Sequence, residues 1–166
     1  MTTKTAMVFG ATGASGSFLC SFLLKEKRVG QVIAVSRKPL DLGQKSKKLK
    51  EVIKTDLFSL SSLSSFADAP IDLVFCCIGS TRKKSATAES FRRIDFDLCL
   101  KVAKLARKEN IPYFSLISSQ GANPKLLGLR HRFFHSLFYL KTKGELELEI
   151  KKLNFPCFHV FRPGLL

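Results

Sequence analysis

A chain of 166 residues is long enough to bury a core without disulfides or a structural metal. Its five cysteines (Cys20, Cys76, Cys77, Cys99 and Cys157) show neither a CxxC pair nor nearby histidine partners, so neither zinc nor a disulfide framework is expected and they read as reduced core thiols. The net charge of +15 raises the question of an anionic partner, but no RRM, KH or zinc-finger pattern organises the basic clusters at 45–50, 82–84, 101–108 and 130–132, and nucleic acid is not an expected partner.

No stretch reaches the roughly 18 uninterrupted apolar residues of a membrane span. Lys4 followed by the apolar run 6–24 has the outline of a secretory leader, yet Gly10, Gly13 and Gly16 break that run at a regular spacing a leader has no reason to keep. These features set the expectation of a cytoplasmic protein.

Along the chain, short apolar runs predict strands at 5–9, 31–35, 51–54, 71–78, 113–118 and 157–161. Most are apolar throughout, as strands covered on both faces must be. Helices are expected at 15–27, 60–66, 88–108 and 139–153. This alternation defines an α/β fold of Rossmann type, a doubly wound parallel sheet of about six strands in the order 3-2-1-4-5-6 with helices on both faces, expected as one domain over residues 1–166.

Between the first strand and the first helix stands Gly10-Ala11-Thr12-Gly13-Ala14-Ser15-Gly16. In that position Gly10 allows the tight turn, Gly13 lets main chain approach a pyrophosphate and Gly16 lets helix and strand pack closely, while Thr12, Ala14 and Ser15 bring N–H groups to the phosphates. The second strand ends in Val35-Ser36-Arg37-Lys38, without the acid that an NAD-selective site presents to the ribose hydroxyls. Arg37, helped by Ser36 and Lys38, suits a 2′-phosphate, so NADP(H) is expected ahead of NAD(H). After the third strand, Asp56 and Leu57 are placed either to meet the adenine or, for Asp56, to cap the next helix. Gly79 ends the fourth strand at the edge where ligands bind in open α/β sheets.

In the long helix, Phe91, Ile94, Leu98, Val102 and Leu105 predict one buried stripe. In the last helix Tyr139 and Lys143 share a face with Leu146, Ile150 and Leu153, so Lys143 needs a partner, whereas Glu147 and Lys151 read as an exposed i,i+4 pair. A lysine beside Tyr139 favours the phenolate and makes it a usable proton donor or acceptor, with Ser119 placed to bind a carbonyl oxygen. The alternative is a tyrosine and lysine that flank the core with the ammonium reaching outward.

Taken together, these motifs resemble the short-chain dehydrogenase/reductase superfamily. The segments 75–82, 118–122, 139–145 and 161–164 are similar to an atypical branch of it over nearly the whole chain. The resemblance implies NADPH binding and a site of Tyr139, Lys143 and Ser119, with Lys143 also contacting the nicotinamide ribose and Ser118 the rival for the serine role. It implies either an NADPH-dependent oxidoreductase acting on a small-molecule carbonyl substrate or an NADPH-binding regulatory or interaction protein without turnover. It also implies several dozen further residues after the Arg-Pro-Gly segment. Residues 125–138 mix Arg130, His131 and Arg132 with Phe133, Phe134 and Phe138 and read as a substrate lid, a peripheral membrane contact or a packed amphipathic segment. His131 and His135 lack a third ligand, and no metal is expected.

Overall fold

The computed structural model describes residues 3–43, 46–80, 87–126 and 135–164. Six parallel strands, β1 (Lys4–Phe9), β2 (Val29–Ser36), β3 (Leu49–Ile53), β4 (Leu73–Cys76), β5 (Tyr113–Ile117) and β6 (Cys157–Phe161), form one sheet in the order β3-β2-β1-β4-β5-β6. The register sets Val8 of β1 opposite Ala34 of β2 and Phe75 of β4. The expected sheet order is therefore the observed one.

Alternation along the central strands explains how both faces are buried. Met7, Phe9, Ile33 and Val35 point into one apolar cluster, while Ala6, Val8, Val32 and Ala34 point into another. Helix α1 (Ala14–Lys25) closes the second cluster with Cys20, Leu23 and Leu24. The first is closed by α3 (Cys99–Lys108) and α4 (His135–Lys151), through Val102, Ala103, Ala106, Leu146 and Ile150. Because every strand runs the same way, their carboxyl ends, and the loops that follow them, gather on one edge.

Two expected helices and one side-chain pairing differ from the sequence reading. No α-helix forms at 60–66; two 3-10 turns, Leu57–Ser59 and Ser64–Phe66, take its place. There Ser59 Oγ donates to the Asp56 carbonyl and Ser65 Oγ to that of Ser62, while the Leu63 and Ser64 amides donate to the Glu109 carboxylate at 2.7 and 2.8 Å. These local and long-range bonds replace the helical ladder.

The long helix is interrupted. Helix α2 (Ala88–Arg92), held at its start by a Thr87–Ser90 capping box, passes into α3 through a π-helical stretch, Arg93–Leu98. The wider turn shifts the buried stripe: Phe91, Asp95, Leu98, Cys99, Val102 and Ala106 face inward, whereas Ile94 and Leu105 are only partly buried.

The expected exposed pair Glu147–Lys151 is also absent. Glu147 is buried, its carboxylate bound to Arg162 after β6 and to the Ser118 hydroxyl after β5. The expectation that no cysteine has a histidine neighbour is corrected on β6, where Cys157 Sγ lies 3.2 Å from His159 Nε2, two residues along the strand and on the same face.

Candidate active site

The turn after β1 is built on close approaches. Gly10 adopts φ +77°, and a Cβ there would lie 2.6 Å from the Cys77 carbonyl oxygen, so the position excludes any other residue. A Cβ on Gly16 would stand 2.2 Å from the Gly10 carbonyl oxygen, which fixes how closely α1 packs on the turn. Gly13 is different: its nearest obstacle is the Gly10 oxygen at 3.3 Å. It is the extended N-cap of α1 and offers no side-chain cap to the N–H groups of the first turn.

Gly10, Thr12 and Gly13 form one wall of a cleft of about 410 Å³. Arg37 lies in the same cleft, as do Asp56, Leu57 and Gly79. Sequence reasoning missed Phe58 and the helical face Ser90, Arg93, Ile94 and Leu98, which supply the opposite wall. The periodicity of Ser90, Ile94 and Leu98 was the available signal. Asp56 acts as a cap, accepting from the Phe58 amide at 2.8 Å, yet it still lines the cleft.

Other expected residues stand apart from that wall. Ala14 and Ser15 line a neighbouring apolar hollow between α1 and β4–β6. Lys38 is exposed, and its carbonyl receives the Ser36 hydroxyl. The glycine cradle, the free first turn and a basic β2 end together fit a dinucleotide whose diphosphate meets main-chain amides.

Lys143 has the partner that its buried position demands. Its Nζ is 2.9 Å from Asp95 Oδ1, with the two side chains 4% and 1% exposed. Asp95 Oδ2 accepts from both the amide and the hydroxyl of Ser80. Burial pushes the Lys143 ammonium down, but the Asp95 charge, with Cys99 and Tyr139 adding to it, outweighs burial and holds it above its ordinary value. A Cβ on Gly79 would come within 3.4 Å of Asp95 Oδ1 and 4.0 Å of Lys143 Nζ, so the pair lies directly beneath the cleft at Gly79. Tyr139 is half-buried, its ring centroid 5.9 Å from Lys143 Nζ and 5.5 Å from that of Phe91.

The two serines after β5 are distinguished by their partners. Ser118 is buried and bonded to Glu147, whereas Ser119 bonds to the adjacent Gln120 carbonyl at 3.2 Å. The segment carrying Ser119 lies against α4: the Asn123 amide donates to the Leu140 carbonyl at 3.1 Å, and a Cβ on Gly144 would meet Pro124 N at 2.4 Å. The segments that carry Ser119 and Tyr139 are thereby neighbours, and among the described residues no hydrogen bond joins the two side chains.

Of the cysteines, Cys77 lines the cleft, while Cys20 and Cys99 are buried in the core. Burial pushes Cys77 up to about 12 and Cys20 up to about 11, and Cys99 is raised by its bond with Cys76 and by burial. Residues 127–134, which carry His131 and most of the expected lid or membrane contact, lie outside the described residues, as does the His135 side chain. No helix among the described residues is long and apolar enough to cross a membrane.

The fold and cleft define a nucleotide-coenzyme protein, and the family model described as NAD(P)H-binding matches residues 10–166; the chain belongs to that family. Protein HTATIP2 of Rattus norvegicus is 32% identical over 100% of this chain and 64% of its own length. The chain thus spans about two thirds of the curated relatives it matches, as with a 32% identical protein of Debaryomyces hansenii, of which it covers 66%. Among solved structures, a putative NAD-dependent epimerase/dehydratase from Bacillus halodurans superposes with a TM-score of 0.74 at 25% identity, over 97% of this chain and 70% of that one. MoeE5 in complex with UDP-glucuronic acid and NAD gives 0.72 at 22% identity, over 95% and 54%.

The expectation of a cytoplasmic location is corrected by these relatives. The Debaryomyces hansenii protein is named FMP52, mitochondrial. Cysteines that read as reduced thiols are compatible with every compartment that keeps thiols reduced, so they carry no signal for the cytoplasm in particular.

Proposed function

We propose that this chain is the coenzyme-binding part of an NADPH-dependent oxidoreductase acting on a small-molecule carbonyl compound, at the mitochondrion as its fungal relatives are named. The observation that carries the reading is the cleft itself: a glycine cradle at one wall, Arg37 at the β2 end and the Lys143–Asp95 pair under Gly79. A nicotinamide coenzyme, when bound, supplies the hydride.

The protein's own groups supply the rest. First-turn amides of α1 hold the diphosphate, and Arg37, with Lys38 beside it, receives the 2′-phosphate. Asp56 and Leu57 border the adenine, and Gly79 keeps the floor of the cleft flat. Ser119 donates a hydrogen bond to the carbonyl oxygen while Tyr139 gives that oxygen its proton. Lys143, 5.9 Å from the Tyr139 ring centroid, contacts the nicotinamide ribose.

A second reading, coenzyme binding that stabilises one conformation without turnover, is favoured by a specific feature. Asp95 neutralises much of the charge with which Lys143 would act on Tyr139.

Calorimetric titration with NADPH and NADH, followed by a screen of carbonyl compounds for oxidation of the bound coenzyme, tests both. Tighter binding of NADPH with carbonyl-dependent oxidation is the expected result. Binding without oxidation supports the second reading, and no heat with either coenzyme overturns both.

A further inference from the structure

Two consecutive arginines where α2 meets the π-helical stretch have different surroundings. Arg92 is spent: its guanidinium lies 4.1 Å over the Phe96 ring and binds the Glu145 carboxylate across to α4. Arg93 faces the other way, into the cleft wall it forms with Ser90, Ile94 and Leu98. Among the described residues no carboxylate lies within ion-pair distance of it, and its guanidinium sits 4.9 Å over the Phe58 ring.

The position of Phe58 tells which corner of the cleft Arg93 reaches. Phe58 follows β3, and its amide is fixed by the Asp56 carboxylate at 2.8 Å. Strand β3 pairs with β2, Ser36 standing opposite Ile53 and the Lys54 amide donating to the Ser36 carbonyl at 2.8 Å. Arg37 is the next residue. Arg93 therefore spans from the helical wall to the corner where β2 and β3 end, and Arg37 lines the same cleft.

A guanidinium held over a ring face by cation–π attraction spends none of its N–H groups on that contact, which leaves them for bidentate contact with a phosphate. Of the charged groups lining the cleft, Arg37 and Arg93 are positive and only Asp56 is negative, with one of its oxygens engaged by Phe58. The glycine cradle at Gly10, Thr12 and Gly13, which the proposed function gives to the diphosphate, forms the other wall. The group left for a cationic corner is a phosphate on the adenosine ribose.

We propose that Arg93 is a specificity-determining residue that, with Arg37, clamps the 2′-phosphate of NADP(H). This deepens the proposed function and rests on it. One arginine approaches from the strand edge and the other from the helix wall, so selectivity is shared between two elements.

The test is calorimetry of the wild type, Arg93→Ala and Arg37→Ala with NADPH, NADH, 2′,5′-ADP and 5′-AMP, with thermal unfolding of each variant as the control for folding. For Arg93→Ala, NADPH and 2′,5′-ADP are expected to weaken by roughly tenfold to a hundredfold, the worth of a charge-assisted hydrogen bond, with NADH and 5′-AMP changed by less than about threefold. Equal weakening of phosphorylated and unphosphorylated ligands would overturn the clamp, because it would mean a general wall. Normal NADPH affinity in a folded Arg93→Ala protein would overturn it too, leaving the proposed function intact. A wild type that binds neither coenzyme would overturn the proposed function, and the clamp with it.

Discussion

Lys143 and Asp95 meet at 2.9 Å where α4 crosses the π-helical stretch, both side chains almost wholly out of water. Removing one partner strands the other charge in the interior. Asp95→Asn is expected to cost about 3–5 kcal/mol, and the double variant Asp95→Asn/Lys143→Met should recover much of that loss. Urea unfolding of the two variants checks it. Equal destabilisation of single and double variants would show that the charge pairing is not what matters.

The same pair predicts a dependence on alkaline pH. Lys143 is held above its ordinary value of 10.5 in the folded protein. A raised lysine contributes stability that is complete below the unfolded value and disappears as pH climbs through the folded one. The stability difference between wild type and the double variant should therefore be flat from about pH 7 to 9 and shrink beyond 10.5. A difference that shrinks instead toward neutral pH would contradict the assignment.

Glycines three residues apart in the turn should fail in different ways. Gly16→Ala drives a methyl to 2.2 Å from main chain and should lower stability by roughly 1–3 kcal/mol or more. Gly13→Ala meets only the Gly10 oxygen at 3.3 Å and intrudes on the cleft, so coenzyme affinity should fall while the unfolding midpoint barely moves. Unfolding scans beside coenzyme titrations separate the two.

Glu147 and Lys151 are expected to diverge as sharply. Glu147 joins Ser118, Arg162 and α4, whereas Lys151 is exposed at the helix end. Glu147→Ala should cost about 2–4 kcal/mol and Lys151→Ala under about 0.5 in denaturant unfolding. Similar small effects for both would restore the exposed pair that sequence spacing implied.

That contrast marks what spacing conveys and what it does not. The strands, the glycine turn and the Tyr139–Lys143 face were legible because each follows from local periodicity, with neighbours two, three or four residues apart, and strand order followed from the β/α alternation they make. Asp95 was not, although it stands four residues after Phe91 and three before Leu98 on the buried face, because an acid counts against an apolar stripe unless its partner is known, and Lys143 is distant in sequence. Glu147 was misassigned for the related reason that its partners, Ser118 and Arg162, are distant in sequence, while Lys151 offered a ready local pairing. The serines at 59–65 resembled a helix start, but their hydroxyls bond locally. Long-range partners decided each of the misread polar positions on α4 and the π-helical stretch.

Tyr139 distinguishes catalysis from coenzyme binding alone. Its ring packs against Phe91 and stands near Lys143, contacts that phenylalanine preserves, so Tyr139→Phe removes an acidic proton with little change in packing. In an oxidoreductase, turnover with a carbonyl compound found in the screen should fall by roughly 10²–10⁴-fold, with NADPH affinity within about twofold of wild type. A variant that keeps its turnover would transfer the proton-donating role away from this residue. If affinity fell in step with turnover, the tyrosine would be a binding group, because a proton donor acts on the reacting oxygen and leaves the coenzyme's hold on the cleft unchanged.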